Sequence, residues 1–321
     1  MIEALNQKKK RREYLVTVIL LVMLVGMVFL TLFHDGVPSD FVLKTLRIPR
    51  VVTGVLAGIA FGLAGNTFQS LLRNSLASPD IIGVSSGASV AAVFCILILG
   101  LSGAVVSWIA VIAGLVVSVA IYLLSMGYGY SDGKMILVGI GAQAFLQALV
   151  SWILLKGSEF DVPTALRWLS GSLNGAQQRN VPRLFLVTLI AGGVILYLVS
   201  HIRMMEMGEE YAVSLGVEPG RIRIIAMVCA ILLISFATAT TGPIASVAFL
   251  SGPIASRLVG KGRNNMLAAG LVGAVLIVTA DFVGQNFWSV RYPVGVITGL
   301  LGAPYLLFLL INMNRKGERE K

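Results

Sequence analysis

Residues 81–131 contain no Asp, Glu, Lys or Arg, and neither do residues 224–256. Stretches that long have few places to go. A soluble chain carries about 25% charged side chains, whereas this one carries 12% and is 57% hydrophobic. Apolar runs of about 20 residues recur along it, which is the length needed to cross a bilayer. In lipid every backbone polar group must pair internally, so only helices and closed barrels span it. The runs here are continuous, whereas barrel strands alternate between polar and apolar residues. The expected fold class is therefore all-α, a polytopic membrane protein.

The apolar pattern predicts spans at 15–33, 51–72, 81–100, 104–126, 135–155, 184–201, 222–241, 244–259, 266–283 and 294–313, ten in all. Two divisions rest on breakers within the charge-free stretches. One is GLSG, Gly100 to Gly103. The other is TTGP, Thr240 to Pro243, where proline cannot continue a helix. A second Gly-Pro, Gly252-Pro253, is expected to distort the following span. With the N-terminus inside, ten spans place 17 of the 25 Lys and Arg residues on the inner side, as the positive-inside rule asks. Both termini are then cytoplasmic. The first run is too long for a signal peptide core and lacks a small-residue cleavage site, so it reads as a retained helix behind a basic tail, residues 1–13. The chain reads as one transmembrane domain, 1–321.

Several chemistries find no support. GYSDGKM has the wrong spacing for a nucleotide-binding P-loop, and GIGAQA lies inside an apolar run with no strand before it. The positive charge of +10 sits between spans and at the termini, which does not suit nucleic acid. Cys95 and Cys229 lie inside apolar runs as small hydrophobes. No metal-ligand spacing or catalytic group is visible. The spans are essentially free of charge, with Asp281 near one outer end. That counts against a proton-driven transporter, although sodium coupling through backbone carbonyls stays open.

What the spans do contain is small and neutral. Gly54, Gly58 and Gly62 fall four apart, on one helix face, and Gly83/Gly87 and Gly295/Gly299 repeat the interval. Such faces let backbones approach closely, which drives packing in lipid; they can also line a path. Asn66, Gln69, Ser85, Ser86 and Ser89 must face protein or water. Interhelical hydrogen bonds and a neutral conduit both accommodate them. On the outer side, RIPR (Arg47 to Arg50) and Arg291 supply cations that the positive-inside rule does not require. Lipid headgroups and an acidic partner are both suitable ligands. On the inner side, residues 204–223 exceed a simple turn. EEYAVSL suits a short helix, Leu215-Gly216 a C-cap, and Pro219-Gly220 a turn. That helix is either inert or a handle for another protein.

RIPRVVTGVLAGIAFGLAGNTFQSLLRNSLASPDIIGVSSGAS resembles the permeases of ATP-binding cassette (ABC) importers for iron–siderophore complexes, haem and cobalamin, the FecCD type. RWLSGSL, SLGV, TGPIASVAFLSGPIASRLVG and YPVGVITGLLGAPYLLFLL extend the resemblance over about residues 14–312. Ser75 stands where the family usually has Pro. FLSGPIASRL stands where many members have a Val-Pro-His-Ile-Ala-Arg type of sequence. That variant is similar to the one in siderophore permeases that pair with a non-identical second permease.

The resemblance implies a type II ABC importer permease fold in the bacterial cytoplasmic membrane. It implies a transport subunit without enzymatic activity or cofactor, carrying an iron(III)–siderophore, with haem or cobalamin as alternatives. An ion-coupled secondary transporter is the rival from another class. The implied partners are a second permease, a heterodimer being favoured, two cytoplasmic ATPases and an extracytoplasmic binding protein. By the same resemblance Arg47 and Arg50, and by position rather than by motif Arg291, meet acidic groups of the binding protein. Glu209, Glu210, Ala212, Leu215, Gly216 and Val217 form the helix that couples to an ATPase. Asn66, Gln69, Ser85, Ser86 and Gly87 are assigned to the translocation path, and Gly54, Gly58 and Gly62 to helix packing. RNSLASPD is read as an inner turn closed by Asn74 and Asp80, with GVSSGAS opening the next helix, a mechanical bend without chemistry.

Overall fold

The computed structural model describes residues 2–34, 36–75, 77–79, 83–126, 132–260 and 265–317. Among these residues the chain is helical throughout its ordered elements: α1 (Ile2–Phe33), α2 (Asp40–Val42), α3 (Ile48–Leu71), α4 (Val84–Leu97), α5 (Ala104–Met126), α6 (Asp132–Lys156), α7 (Val162–Leu169), α8 (Val181–Glu206), α9 (Glu209–Ser214), α10 (Pro219–Thr241), α11 (Val247–Val259), α12 (Met266–Asn286) and α13 (Val294–Gly317). Seven are long and apolar enough to cross a membrane, and α4, α11 and α13 are shorter apolar helices. Together they make the ten expected spans. The proposed role of Asp80 in the turn after α3 lies outside the described residues, as do Lys261, Arg263, Arg319 and Lys321 in the charge tally.

Both charge-free stretches break where expected. α4 ends at Leu97, and Gly100 and Gly103 adopt positive φ before α5 begins. α10 ends at Thr241, and Gly242 and Ser246 both have positive φ before α11 starts at Val247, three residues later than the pattern suggested. Pro253 lies inside α11, which continues past it to Val259. The apolar pattern predicts no span over residues 156–183, and the structure has the short helix α7 there. Its start carries a legible signal, Asp161 before a Pro in the first turn, and Ala165 is buried beneath it. Ahead of α3, Leu43–Arg47 form a π-helical turn. The widened ladder falls just before Pro49, whose missing N–H interrupts ordinary i→i−4 bonding.

α3 is the hub. Nearly all its side chains are buried, from Val51 to Leu71, and it packs against α8, α10, α11 and α12. Its apolar mass is mostly Gly and Ala, so neighbouring backbones come close. α1 leans on α12, while α4, α5 and α6 form a second group joined to the hub through α10. The periphery exposes large apolar side chains, such as Leu124 on α5 (70%) and Leu155 on α6 (85%). In water these would be an aggregation surface; in a bilayer they meet acyl chains or another subunit.

Side-chain contacts tie like ends of the helices together. Arg12 donates to the carbonyls of Leu258 (2.9 Å) and Arg257 (3.1 Å), satisfying the C-terminal end of α11. Arg257 in turn lies over the rings of Tyr305 and Phe308 on α13. At the opposite face, the start of α3 meets the end of α12.

Candidate functional site

The chain offers three regions with chemistry: one on the Arg12 face, one within the helices and one on the opposite face. On the Arg12 face, α8 ends at Glu206, Gly208 turns the chain, and α9 follows at once. α9 closes in a Schellman motif. Gly216 N–H donates to Val213 O (2.9 Å) and Val217 N–H to Ala212 O (3.0 Å). Gly216 has φ +81°, with open space where a side chain would point. Ala212 and Val217, the hydrophobic pair of that motif, are buried against the body of the protein. Arg223 on α10 pairs with Glu209 and pins the start of α9. What faces outward is apolar: Tyr211, Val213 and Leu215 are each about half exposed, beside the exposed Glu210. The six-residue helix thus has an anchored inner face and an apolar outer face.

The turn after α3 connects to the same place. Arg73 adopts φ +47°, and its guanidinium donates to Met205 O near the end of α8 (2.6 Å). Asn74 O accepts from Ala77 N–H (2.9 Å). Gly83, with φ +70°, starts α4. The Arg73 contact joins the α3–α4 turn to the α8–α9 junction.

Within the helices, Asn66 and Gln69 are buried inside the subunit. Asn66 and Asn265 exchange side-chain hydrogen bonds at 3.3 Å, and the Gln69 amide donates to Phe249 O on α11 (2.9 Å). As placed, they join α3 to its neighbours and do not line an open surface. Ser85 and Ser86 are half-buried in the first turn of α4, and Gly87 packs on Val117 of α5. Gly58 and Gly62 face α12 so closely that an added Cβ would overlap the backbone at Ala274 and Ala269 respectively. Gly54 faces Leu173, 2.9 Å from the position of an added Cβ. Gly65, outside the fourfold spacing, is equally crowded against Ala248 of α11.

On the far face, Arg50 and Asp281 form a bidentate pair, both bonds 2.7 Å. The Asp281 side chain is 4% exposed and that of Arg50 20%. Asp281, the charge expected near one outer end, is thus paired within the chain. The pair also changes the standing of Arg50, whose charge is neutralised within the chain. Arg47 donates to Leu32 O near the end of α1 (2.5 Å). Arg291 is exposed and makes no hydrogen bond or ion pair among the described residues. The loops on this face are laced by backbone hydrogen bonds. Ser172 N–H donates to Thr241 O (2.6 Å), Gly295 N–H to Gly171 O (3.1 Å), and Tyr292 N–H to Gly284 O (2.9 Å). Beside them, a cavity of about 250 Å³ lies between the α4–α5 loop, α7 and the end of α10.

The sequence matches the FecCD transport family over residues 14–312. It is 37% identical over 294 residues to the ferric enterobactin transport system permease protein FepG of Escherichia coli, covering 90% of this chain and 88% of that one. It is 29% identical over 279 residues to the cobalamin import system permease protein BtuC of Halobacterium salinarum, covering 86% and 75%. A solved structure described as an inward-facing metal-chelate type ABC transporter superimposes with a TM-score of 0.84 at 24% identity, covering 92% of this chain and 99% of that one.

Proposed function

Because this chain belongs to the FecCD transport family, we propose that it is the permease subunit that carries an iron(III)–siderophore across the bacterial cytoplasmic membrane. In this reading it pairs with a second, non-identical permease. Two ATPases supply the energy, and an extracytoplasmic binding protein delivers the ligand. The observation that carries the proposal is α9. Its buried side is locked by the Schellman motif and the Arg223–Glu209 pair, and its outer side presents Tyr211, Val213 and Leu215. That surface suits an apolar cleft of an ATPase, and among the described residues Tyr211, Val213 and Leu215 stay about half exposed.

Movement of α9 has a route inward. α9 follows α8 directly, and Arg73 ties the end of α8 to the turn between α3 and α4. A shift at α9 therefore reaches the hub helix and the Ser85–Gly87 segment that we assign to the path. Asn66 and Gln69 enter that path only when α3 parts from α11 and α12. We read the Arg12 face as cytoplasmic, with both termini, because the positive-inside rule supports that orientation. On the other face Arg291 and Arg47 are the groups offered to an acidic partner, while Arg50 holds α3 in position through Asp281.

The iron–siderophore assignment follows the relative at 37% identity over the cobalamin relative at 29%. The test is Gly216→Trp in the assembled transporter. It is expected to abolish ATP-driven uptake of iron complex while the subunit still inserts. Uptake that survives the change removes α9 as the coupling element.

A further inference from the structure

We propose that the groove between α5, α8 and α10, on the face opposite Arg12, holds an anionic phospholipid with a polyol headgroup, of the phosphatidylglycerol type. The groove is walled by Trp108 and Val111 of α5, Phe236 and Ala239 of α10, and Arg183 of α8. Its lower part is apolar, with Trp108 set edge-on to Phe236 at 6.0 Å. Elsewhere on α5 and α8 Ile112, Phe185 and Leu189 are exposed. A side chain of that kind at that place faces acyl chains, and a tryptophan at the end of a span marks the headgroup level.

The mouth of the groove is cationic and unneutralised. The guanidinium of Arg183 stacks on Trp108, 5.1 Å from the ring centroid. That of Arg179 lies beside Gly103 in the α4–α5 loop. Neither has a carboxylate within salt-bridge distance or a hydrogen-bond acceptor among the described residues. Asn180 stands between them, at the start of α8. The dipole of that helix adds positive potential at the same point. Two arginines on the side where the positive-inside rule does not favour cations call for an anion.

The adjoining 250 Å³ cavity shares Ser107, Asn180 and Thr240 with the groove. Among the described residues the rest of its polar lining is largely neutral hydroxyl and amide, including Ser102, Ser172, Asn174 and Gln177, with Arg167 the one charged group and no carboxylate. Neutral donors and acceptors suit a glycerol headgroup. An ethanolamine headgroup would set its ammonium among arginines with no acid to receive it. A free phosphate would use the arginines and leave the apolar groove empty, so the lipid fits the whole site.

This inference needs only the membrane placement of the chain and is independent of its cargo. The test uses the full chain with its companion subunits, delipidated in mild detergent and followed by native mass spectrometry. Phosphatidylglycerol, phosphatidylethanolamine and phosphatidylcholine of equal chain length are the probes, with soluble glycerol phosphate as competitor. Phosphatidylglycerol is expected to bind about tenfold or more tightly than the other two, and Arg179→Gln with Arg183→Gln to remove about that factor without affecting them. Ser107→Phe, which fills the groove from its wall and leaves both arginines, is expected to weaken phosphatidylglycerol as well. Equal retention of the three lipids, undiminished phosphatidylglycerol binding in both variants, or displacement by glycerol phosphate at concentrations equal to the lipid's would each overturn the proposal. Unfolding temperatures of the variants in lipid-free detergent separate loss of the site from loss of the fold.

Discussion

At the scale of single residues, close approach and charge pairing are the two quantities that decide outcomes. Gly62 lies against the carbonyl of Ala269, and a Cβ there has nowhere to go because the obstacle is backbone. Gly62→Ala is expected to destabilise the protein by about 1–3 kcal/mol, as overpacking does. Gly141 has nothing within 4 Å of an added Cβ, so Gly141→Ala is expected to be neutral or stabilising by up to about 1 kcal/mol through helix propensity. Thermal unfolding in detergent reads both. Asp281 presents a different balance. Removing one member of a buried ion pair costs about 3–5 kcal/mol. Arg50 keeps a fifth of its side chain exposed, so Asp281→Asn is expected to cost somewhat less, about 2–3 kcal/mol. Arg50→Met combined with Asp281→Leu should recover most of that, since no orphaned charge remains. If the double variant proves as unstable as the single, the pair does more than neutralise itself.

At the scale of elements, the α3–α4 turn is tied to the end of α8, which α9 follows. The sequence pattern around Leu215-Gly216 was sufficient to anticipate the short helix and its C-cap, because the Schellman motif is local. Its hydrogen bonds span six residues, and its glycine needs positive φ whatever surrounds it. The Arg73 contact with Met205 joins residues far apart in the chain, and no local rule anticipates it. Arg73→Met removes that link while keeping the length of the side chain. It is expected to lower ATP-driven uptake several-fold, by the loss of one charge-assisted hydrogen bond at the junction, with ATPase co-purification intact. Unchanged uptake would mean that the turn and the α8–α9 junction move independently. α7 shows the converse case, a helix with a legible start signal at Asp161–Pro163 that the hydrophobic pattern hides, since eight residues are too few to register as a span.

At the scale of the whole molecule, the permease reading makes the chain a gate driven by other proteins. Reconstituted alone in vesicles under a sodium or proton gradient, it is expected to accumulate no iron complex. With its companion subunits, accumulation should appear and should require ATP. Accumulation by the isolated chain would favour the ion-coupled alternative. The number of spans, the two breaks in the charge-free stretches and the family were legible from residue order, because lipid tolerates few arrangements and spans of one length recur. The partners of the polar groups were not. Asn66 and Gln69 could equally have lined a conduit, and Arg50 could equally have faced outward. Which way each points depends on the rotation of α3 among four neighbours, and that is set by where Gly58, Gly62 and Gly65 let other backbones in. Hydrophobicity places a helix in the membrane without regard to its azimuth; contact between helices sets the azimuth, and with it the identity of every buried pair.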